Sequence, residues 1–183
     1  MKKTLLALAL FMACLTGSAQ TQHMKFLGID LNCTISTFTS KLKGKGFVQD
    51  MNNSHDNLVV AKGVFAGERV KLEVKCATKT HLVHTVNVCF NLSSSYTFES
   101  LKTRLIDKYG AEFKEFKNVA EGEGFVKYAT DYIVWELNPD EEFGEANKIV
   151  LTKCNYRSTS PLVISYIDNK NSKIDIQEIN SDF

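Results

Sequence analysis

The chain has 183 residues, and its 22 lysines and arginines nearly balance 21 aspartates and glutamates, which gives a formal net charge of +1. Hydrophobic residues make up 44% of the chain and charged residues 23%, as is usual for a globular protein. This composition excludes a disordered chain, a collagen-like chain and a polybasic nucleic-acid-binding protein, and the length predicts one domain or two small ones.

Residues 1–19 have the pattern of a secretory signal peptide. Two lysines at positions 2 and 3 precede an apolar run over residues 5–15. That run is too short for a membrane-spanning helix, which needs about 20 residues. Small residues then stand three positions and one position before Gln20, where we expect cleavage. The sequence therefore predicts export to the periplasm or the extracellular space, and no other segment is apolar enough to span a membrane.

Cys14 leaves an alternative open for the same segment. Phe11-Met12-Ala13-Cys14 resembles a bacterial lipobox, in which the cysteine is lipidated and anchors the chain, although Phe11 stands where leucine is usual. We expect cleavage near Gln20, and a lipid anchor on Cys14 is the alternative.

The next segment, residues 20–92, is predicted to form one helix followed by a meander of strands. Ile35, Phe38 and Leu42 are spaced three and four residues apart, so they lie on one face of a helix. Runs in which apolar and polar residues alternate, separated by short polar segments, then predict strands joined by hairpin turns. These strand-like runs cover residues 58–65, 69–76 and 82–90.

Residues 93–168 repeat this order. Phe98, Leu101 and Leu105 recur at helical spacing, and strand-like runs follow. These runs cover residues 125–128, 132–137, 148–154 and 162–167, with an acidic loop or hairpin tip over 138–147. The polar tail, residues 169–183, is predicted to be a short edge strand or disordered.

A short stretch of the first unit also resembles one in the second. Leu72-Glu73-Val74-Lys75-Cys76 is similar to Val150-Leu151-Thr152-Lys153-Cys154. The sequence therefore predicts an α+β fold in which two tandem helix-plus-antiparallel-meander repeats form one layered sheet domain.

Alternation in the strand 132–137 separates its side chains onto two faces. Ile133 and Trp135 lie on one face, and Tyr132 lies on the other with Tyr128, which has the same parity. If the helices cover the Trp135 face, both tyrosines stand on an open face, where aromatic side chains are typical anchors for a protein partner. The alternative is that the tyrosines merely flank a buried Trp135.

Short motifs lie at 26–31, 41–47, 63–67, 109–110 and 165–168. They resemble motifs of small secreted proteins of Bacteroidetes bacteria, a family for which the resemblance implies no particular activity. The tandem helix-plus-meander layout is also similar to the beta-lactamase inhibitor protein fold and to a related fold of small envelope lipoproteins.

Four cysteines remain after the predicted cleavage, and two of them belong to the one spacing that suggests a metal. The four cysteines are Cys33, Cys76, Cys89 and Cys154, and the spacing is Cys76-x4-His81-x2-His84-x4-Cys89. Zinc favours such ligands, but Cys76 and Cys89 fall on opposite faces of neighbouring strands. We therefore expect neither a metal nor a Cys76–Cys89 disulfide, and buried free thiols are the favoured interpretation.

Other candidate chemistries have weaker support. The carboxylate pairs Glu121/Glu123 and Glu141/Glu142 lie in glycine-rich or polar loops, which is typical of solvated turn charges. The sequence holds neither a nucleophile elbow nor a phosphate-binding loop. We predict no catalytic residue, no metal and no cofactor. The favoured function is that of an exported, non-catalytic, inhibitor-like binding protein that engages a protein partner through an open sheet face. An envelope lipoprotein with an assembly role and a small secreted hydrolase are the alternatives.

Overall fold

The computed structural model describes residues 23–91, 94–121, 128–140, 145–155 and 161–181. The predicted signal peptide, its cleavage before Gln20 and the lipobox cysteine Cys14 lie outside the described residues.

Within these ranges the chain forms three α-helices and ten strands. In chain order the elements are β1 (Lys25–Phe26), β2 (Ile29–Asp30), α1 (Ile35–Gly44), β3 (Val48–Gln49), a 3-10 helix (Met51–Asn53), β4 (Leu58–Phe65), β5 (Glu68–Cys76), β6 (Val83–Phe90), α2 (Phe98–Tyr109), β7 (Lys114–Glu121), β8 (Tyr128–Asp140), β9 (Glu145–Asn155), β10 (Leu162–Ile167) and α3 (Asn169–Asn180).

Strands β3 to β10 form one eight-stranded sheet in the order β3-β4-β5-β6-β10-β9-β8-β7, in which all neighbours are antiparallel. Strands β1 and β2 pair as a separate hairpin. Helix α1 precedes β3–β6 along the chain, α2 precedes β7–β10, and the two groups of strands meet where β6 pairs with β10. The predicted α+β class with an antiparallel sheet is confirmed.

The core lies between this sheet and the helices α1 and α2. Helix α1 buries Phe38 and Leu42, and α2 buries Leu101, as the helical spacing predicts. Trp135 is fully buried in the same hydrophobic cluster, and its indole Nε1 donates a hydrogen bond to the carbonyl of Gly110, 3.0 Å away, just after α2. The indole nitrogen thus finds an acceptor at a helix end, which removes the cost of burying it.

The predicted residue correspondence between the two halves does not hold. Leu72 and Val74 are fully buried in the core. Their predicted counterparts, Val150 and Thr152, lie on the opposite face of the sheet, because the alternate residue Leu151 is the one that is fully buried. A shift of one residue moves every side chain of a strand to the other face, so this short similarity joins positions that are not equivalent in the sheet.

Strand boundaries in the second half differ from those predicted. Strand β7 (Lys114–Glu121) was not predicted, because it is an edge strand and its charged residues hide the alternation of apolar side chains. Strands β8 and β9 extend through 138–140 and 145–147, so the loop predicted over 138–147 is wrong at both ends. Residues 141–144 lie outside the described residues. Of the predicted strand over 125–128, Tyr128 is the first residue of β8, and 125–127 lie outside the described residues.

The prediction of an edge strand or disorder for the C-terminal segment is wrong, because residues 169–180 form α3. Asp168 caps this helix: its Oδ1 accepts a hydrogen bond from the backbone amide of Asn171 at 3.0 Å. Asn171 is 1% exposed and donates from Nδ2 to the carbonyl of Val83 at 2.8 Å. Buried polar contacts rather than an apolar stripe attach α3, which is why hydrophobic periodicity does not reveal it.

Candidate functional site

The face of the sheet opposite α1 and α2, called the open face below, carries one continuous row of side chains that crosses all eight strands. Each member of the row is the register partner of the next. From one edge to the other the row is Val48, Lys62, Lys71, Cys89, Val163, Thr152, Tyr132 and Phe116. The row passes from charged residues on β4 and β5 to uncharged and aromatic residues on β10 to β7.

Tyr132 lies on the open face, opposite the buried Trp135, as predicted. Its ring stacks on that of Phe116, with centroids 4.8 Å apart and planes 23° from parallel. Phe116 is 39% exposed. The backbone of Tyr128 pairs with Glu121 at the start of β8, and its side chain lies outside what the structure describes. Sequence reasoning missed Phe116, because its place beside Tyr132 depends on the pairing of β7 with β8.

Three valines extend this aromatic pair across the sheet. Val134 pairs with Val150 on the neighbouring strand, and Val163 lies in the row of Tyr132, one strand beyond Thr152. All three valines are half-buried. We call these valines, with Tyr132 and Phe116, the valine–aromatic patch.

Charged side chains border the patch along one side. Lys114 pairs with Val134 in the register of β7 and β8, and its Nζ lies 3.0 Å from Oε2 of Glu136. Lys148 on β9 is the register partner of Glu136. An apolar patch with a polar rim is typical of a surface that binds another protein.

The half of the open face formed by β4 and β5 is charged instead. Lys62 forms an ion pair with Asp50 (2.7 Å), and Lys71 forms one with Glu73 (2.7 Å). The hydrogen bond from Lys62, together with one from Asn53, lowers the pKa of Asp50. The open face therefore offers two chemically different halves: ion pairs lie beside the exposed Val48 and Val64 on β3 to β5, whereas uncharged side chains adjoin one another around Tyr132.

The cysteine and histidine residues of the spacing over 76–89 are not brought together. Cys76 is the register partner of Val83, whereas Cys89 pairs with Lys71 near the other end of the β5–β6 hairpin. Cys76 is buried in the core and Cys89 lies on the open face. Among the described residues, no group of three or more histidine, cysteine, aspartate or glutamate side chains could hold a metal ion.

Of the four cysteines, Cys76 is buried and the other three are half-buried. No disulfide joins the cysteines at positions 33, 76, 89 and 154. Burial raises the pKa of Cys76 to about 11, helped by the charge of Asp175, and burial likewise raises the pKa of Cys89 to about 11. Both thiols are therefore protonated at neutral pH, which makes them poor nucleophiles and poor metal ligands.

His84 joins the sheet to α3. Its Nε2 lies 3.6 Å from Oδ2 of Asp175, and its Nδ1 lies 2.9 Å from the hydroxyl of Thr85. Burial lowers the pKa of His84, although the charge of Asp175 acts in the opposite direction. These contacts make His84 a structural histidine. The carboxylate pairs at 121/123 and 141/142 have side chains outside the described part of the chain.

Comparisons of the chain with known proteins found no matching family model, no matching curated protein and no matching solved structure. Over the ranges that the structure describes, no helix combines the length and the apolar character that crossing a membrane requires. The resemblances drawn from sequence motifs remain predictions.

Proposed function

We propose that this chain is an exported, non-catalytic binding protein that holds a protein partner on the open face of its sheet. The observation that carries the proposal is the valine–aromatic patch, in which two stacked aromatic rings and three valines lie on the face of the sheet opposite α1 and α2. Burying such side chains against a partner is the main source of affinity in protein complexes.

The stacking of Phe116 on Tyr132 supports this role. Each ring limits the rotamers of the other before a partner arrives, so less side-chain entropy is lost on binding. The tyrosine hydroxyl adds a polar group to an otherwise apolar contact, which is a reason for the frequency of tyrosine at interfaces. Burial raises the pKa of Cys76 and of Cys89 to about 11, so neither thiol is an activated nucleophile.

We also propose that the chain consists of two tandem helix-plus-meander repeats, 20–92 and 93–168, with an inhibitor-like use of the shared sheet. The element order supports it: each helix is followed by four strands, and the sheet order is symmetrical about the contact between β6 and β10. Two repeats in one sheet give a surface twice as wide as either offers alone, which suits a protein partner.

The test is capture of a partner from the secreted or periplasmic fraction of the producing cells. The double variant Phe116→Ala/Tyr132→Ala is expected to lose a partner that the wild-type chain retains, because each aromatic anchor contributes about 2 kcal/mol, or roughly thirtyfold in Kd. Tyr128→Ala, tested separately, examines the second predicted tyrosine.

The matched control is Ile176→Ala, which truncates an exposed apolar side chain, 57% accessible, on α3. It is expected to retain the partner. Circular dichroism and thermal unfolding establish that each variant is folded. A folded double variant that captures the same proteins as the wild-type chain would contradict the proposal.

A further inference from the structure

A cavity of about 330 Å³ lies on the helix side of the sheet, away from the open face. The β1–β2 hairpin forms one wall, and the end of α2 forms another. Tyr166 of β10, which is 3% exposed, belongs to its lining. The volume falls at the lower end of the range for small-molecule sites, about 300–1,000 Å³.

Aromatic side chains from four separate elements line the cavity: Phe26, Phe65, Tyr109 and Tyr166. The ring of Phe26 stacks on Phe65, with centroids 5.7 Å apart, and meets the edge of Tyr166 at 5.1 Å. The contacts among these rings hold them in place, so the apolar surface is formed before any ligand enters.

The titratable nitrogen-bearing side chains at the cavity are not matched by an acidic residue in its lining. Lys25, Lys108 and His23 line it, and no aspartate or glutamate is among the described lining residues. Oδ1 of Asp30 lies 3.5 Å from Nζ of Lys25 and partly neutralises its charge. Oδ2 of the fully buried Asp168 lies 2.9 Å from Nδ1 of His23.

Lys108 differs from Lys25 and His23. Its ammonium lies 4.9 Å from the centre of the Tyr109 ring, and within the described ranges it forms no ion pair. Because α2 ends here, its carbonyl groups disfavour an anion near the helix axis, so Lys108 must supply the attraction. Lys108 is therefore the cation available to a ligand.

The turn at the rim of the cavity is unusual. Leu27 has φ of 51° and is 39% exposed, and Gly28 follows with φ of 77°. A hairpin turn of this kind favours asparagine or glycine at the first position. A leucine there has a backbone conformation that costs energy and an apolar side chain that stays in contact with solvent.

We propose that this cavity binds a small aromatic carboxylate, with its ring against the aromatic lining and its carboxylate paired with Lys108. The aromatic side chains of the lining favour a ligand with a planar apolar group. Lys108, with no acidic residue among the described lining, favours a ligand that carries a negative charge. Leu27 at the rim covers the ligand, which gives its exposed side chain a partner. This inference does not depend on the protein-binding role of the open face.

The test uses 2-naphthoate as the probe, with the neutral 2-naphthylmethanol as its uncharged analogue. Titration calorimetry is expected to give saturable binding of 2-naphthoate and binding at least tenfold weaker for the neutral analogue. Amide NMR shifts are expected at Gly28 and Tyr109, and none at Val134 or Thr152 on the open face.

Lys108→Gln is expected to weaken 2-naphthoate binding about tenfold and to leave binding of the neutral analogue unchanged. Lys43→Gln is the matched control, because Lys43 also lies in the last turn of a helix but not at the cavity. No saturable binding, equal binding of both probes, equal losses in the two variants, or shifts confined to the open face would each overturn the proposal.

Discussion

Gly63 lies on β4 where the ring of Phe47 packs against the strand. A Cβ atom at position 63 would stand 2.4 Å from the Cδ1 atom of Phe47, closer than any van der Waals contact allows. Phe47 is itself 2% exposed and belongs to the core. Glycine at this position therefore permits the segment before β3 to pack onto the sheet. Glycine is needed here because a side chain would clash with Phe47, and not because the backbone conformation requires it.

We expect Gly63→Ala to lower the free energy of unfolding by about 1–3 kcal/mol, because the ring of Phe47 must move within a packed core. Gly44→Ala is the matched control, since a Cβ at position 44 meets no atom within 4 Å and alanine favours the helix by about 0.5–1 kcal/mol. Urea unfolding of both variants measures the two effects. Equal changes in the two variants would contradict the role of Phe47.

Residues facing the core could be predicted from sequence, whereas those that meet on the open face could not. Trp135 and Tyr132 were assigned correctly to opposite faces, because alternation within one strand is a local property. The contact of Tyr132 with Phe116 depends on the register of two strands, which includes a bulge between Phe116 and Val119. Neither the register nor the bulge leaves a signal in one sequence.

At the scale of elements, α3 depends on carboxylates that accept hydrogen bonds from the turn before β6. Glu178 accepts from the backbone amides of Lys79 (2.6 Å) and Thr80 (3.1 Å). Asp175 accepts from the amide of Thr78 (3.2 Å). Strands of this protein were predicted because apolar residues alternate in them, but the attachment of α3 is polar and joins segments about 100 positions apart, so the sequence gives no sign of it.

We expect acid to weaken this attachment. Burial alone would raise the pKa of Glu178, but the hydrogen bonds from Lys79 and Thr80 outweigh it, so its pKa is lowered in the folded chain. A lowered pKa means that Glu178 stabilises the fold fully above its unfolded-state pKa of about 4.3 and loses this effect as the pH falls through the folded value. Burial lowers the pKa of His84 in the folded chain, so the unfolded chain takes up a proton at this residue more readily. The free energy of unfolding therefore also falls with acid below the unfolded-state pKa of about 6.5.

The measurement is hydrogen exchange of the α3 amides between pH 7 and pH 3.5, with rates corrected for the intrinsic effect of pH. Protection is expected to fall with acid in the wild-type chain and to change less in Glu178→Gln. Glu99→Gln, a substitution of a glutamate in the first turn of α2, is the matched control and is expected to follow the wild type. An unchanged pH dependence in Glu178→Gln would contradict the assignment.

At the scale of the whole molecule, export and attachment can be tested by mass. We expect intact mass of the protein from its producing cells to correspond to a chain that begins at Gln20 without lipid. A diacyl or triacyl addition on Cys14 would instead identify an envelope lipoprotein.

The same sample tests the thiols. Alkylation without denaturant is expected to spare Cys76, which is 2% exposed and has its pKa raised to about 11 by burial, and to label it after unfolding. Rapid labelling of Cys76 in the folded chain would contradict its place in the core.

The pairing of β6 with β10 has a consequence for the order in which the chain can mature. Val163 and Cys89 are partners in this pair although most of the second half of the chain separates them. Until β10 has been made, β6 is an unprotected edge with apolar Val86, Val88 and Phe90 on one side. The first half of the chain is therefore at greatest risk of aggregation in the interval before β10 pairs with β6, and a chaperone that binds the first half would protect it during that interval.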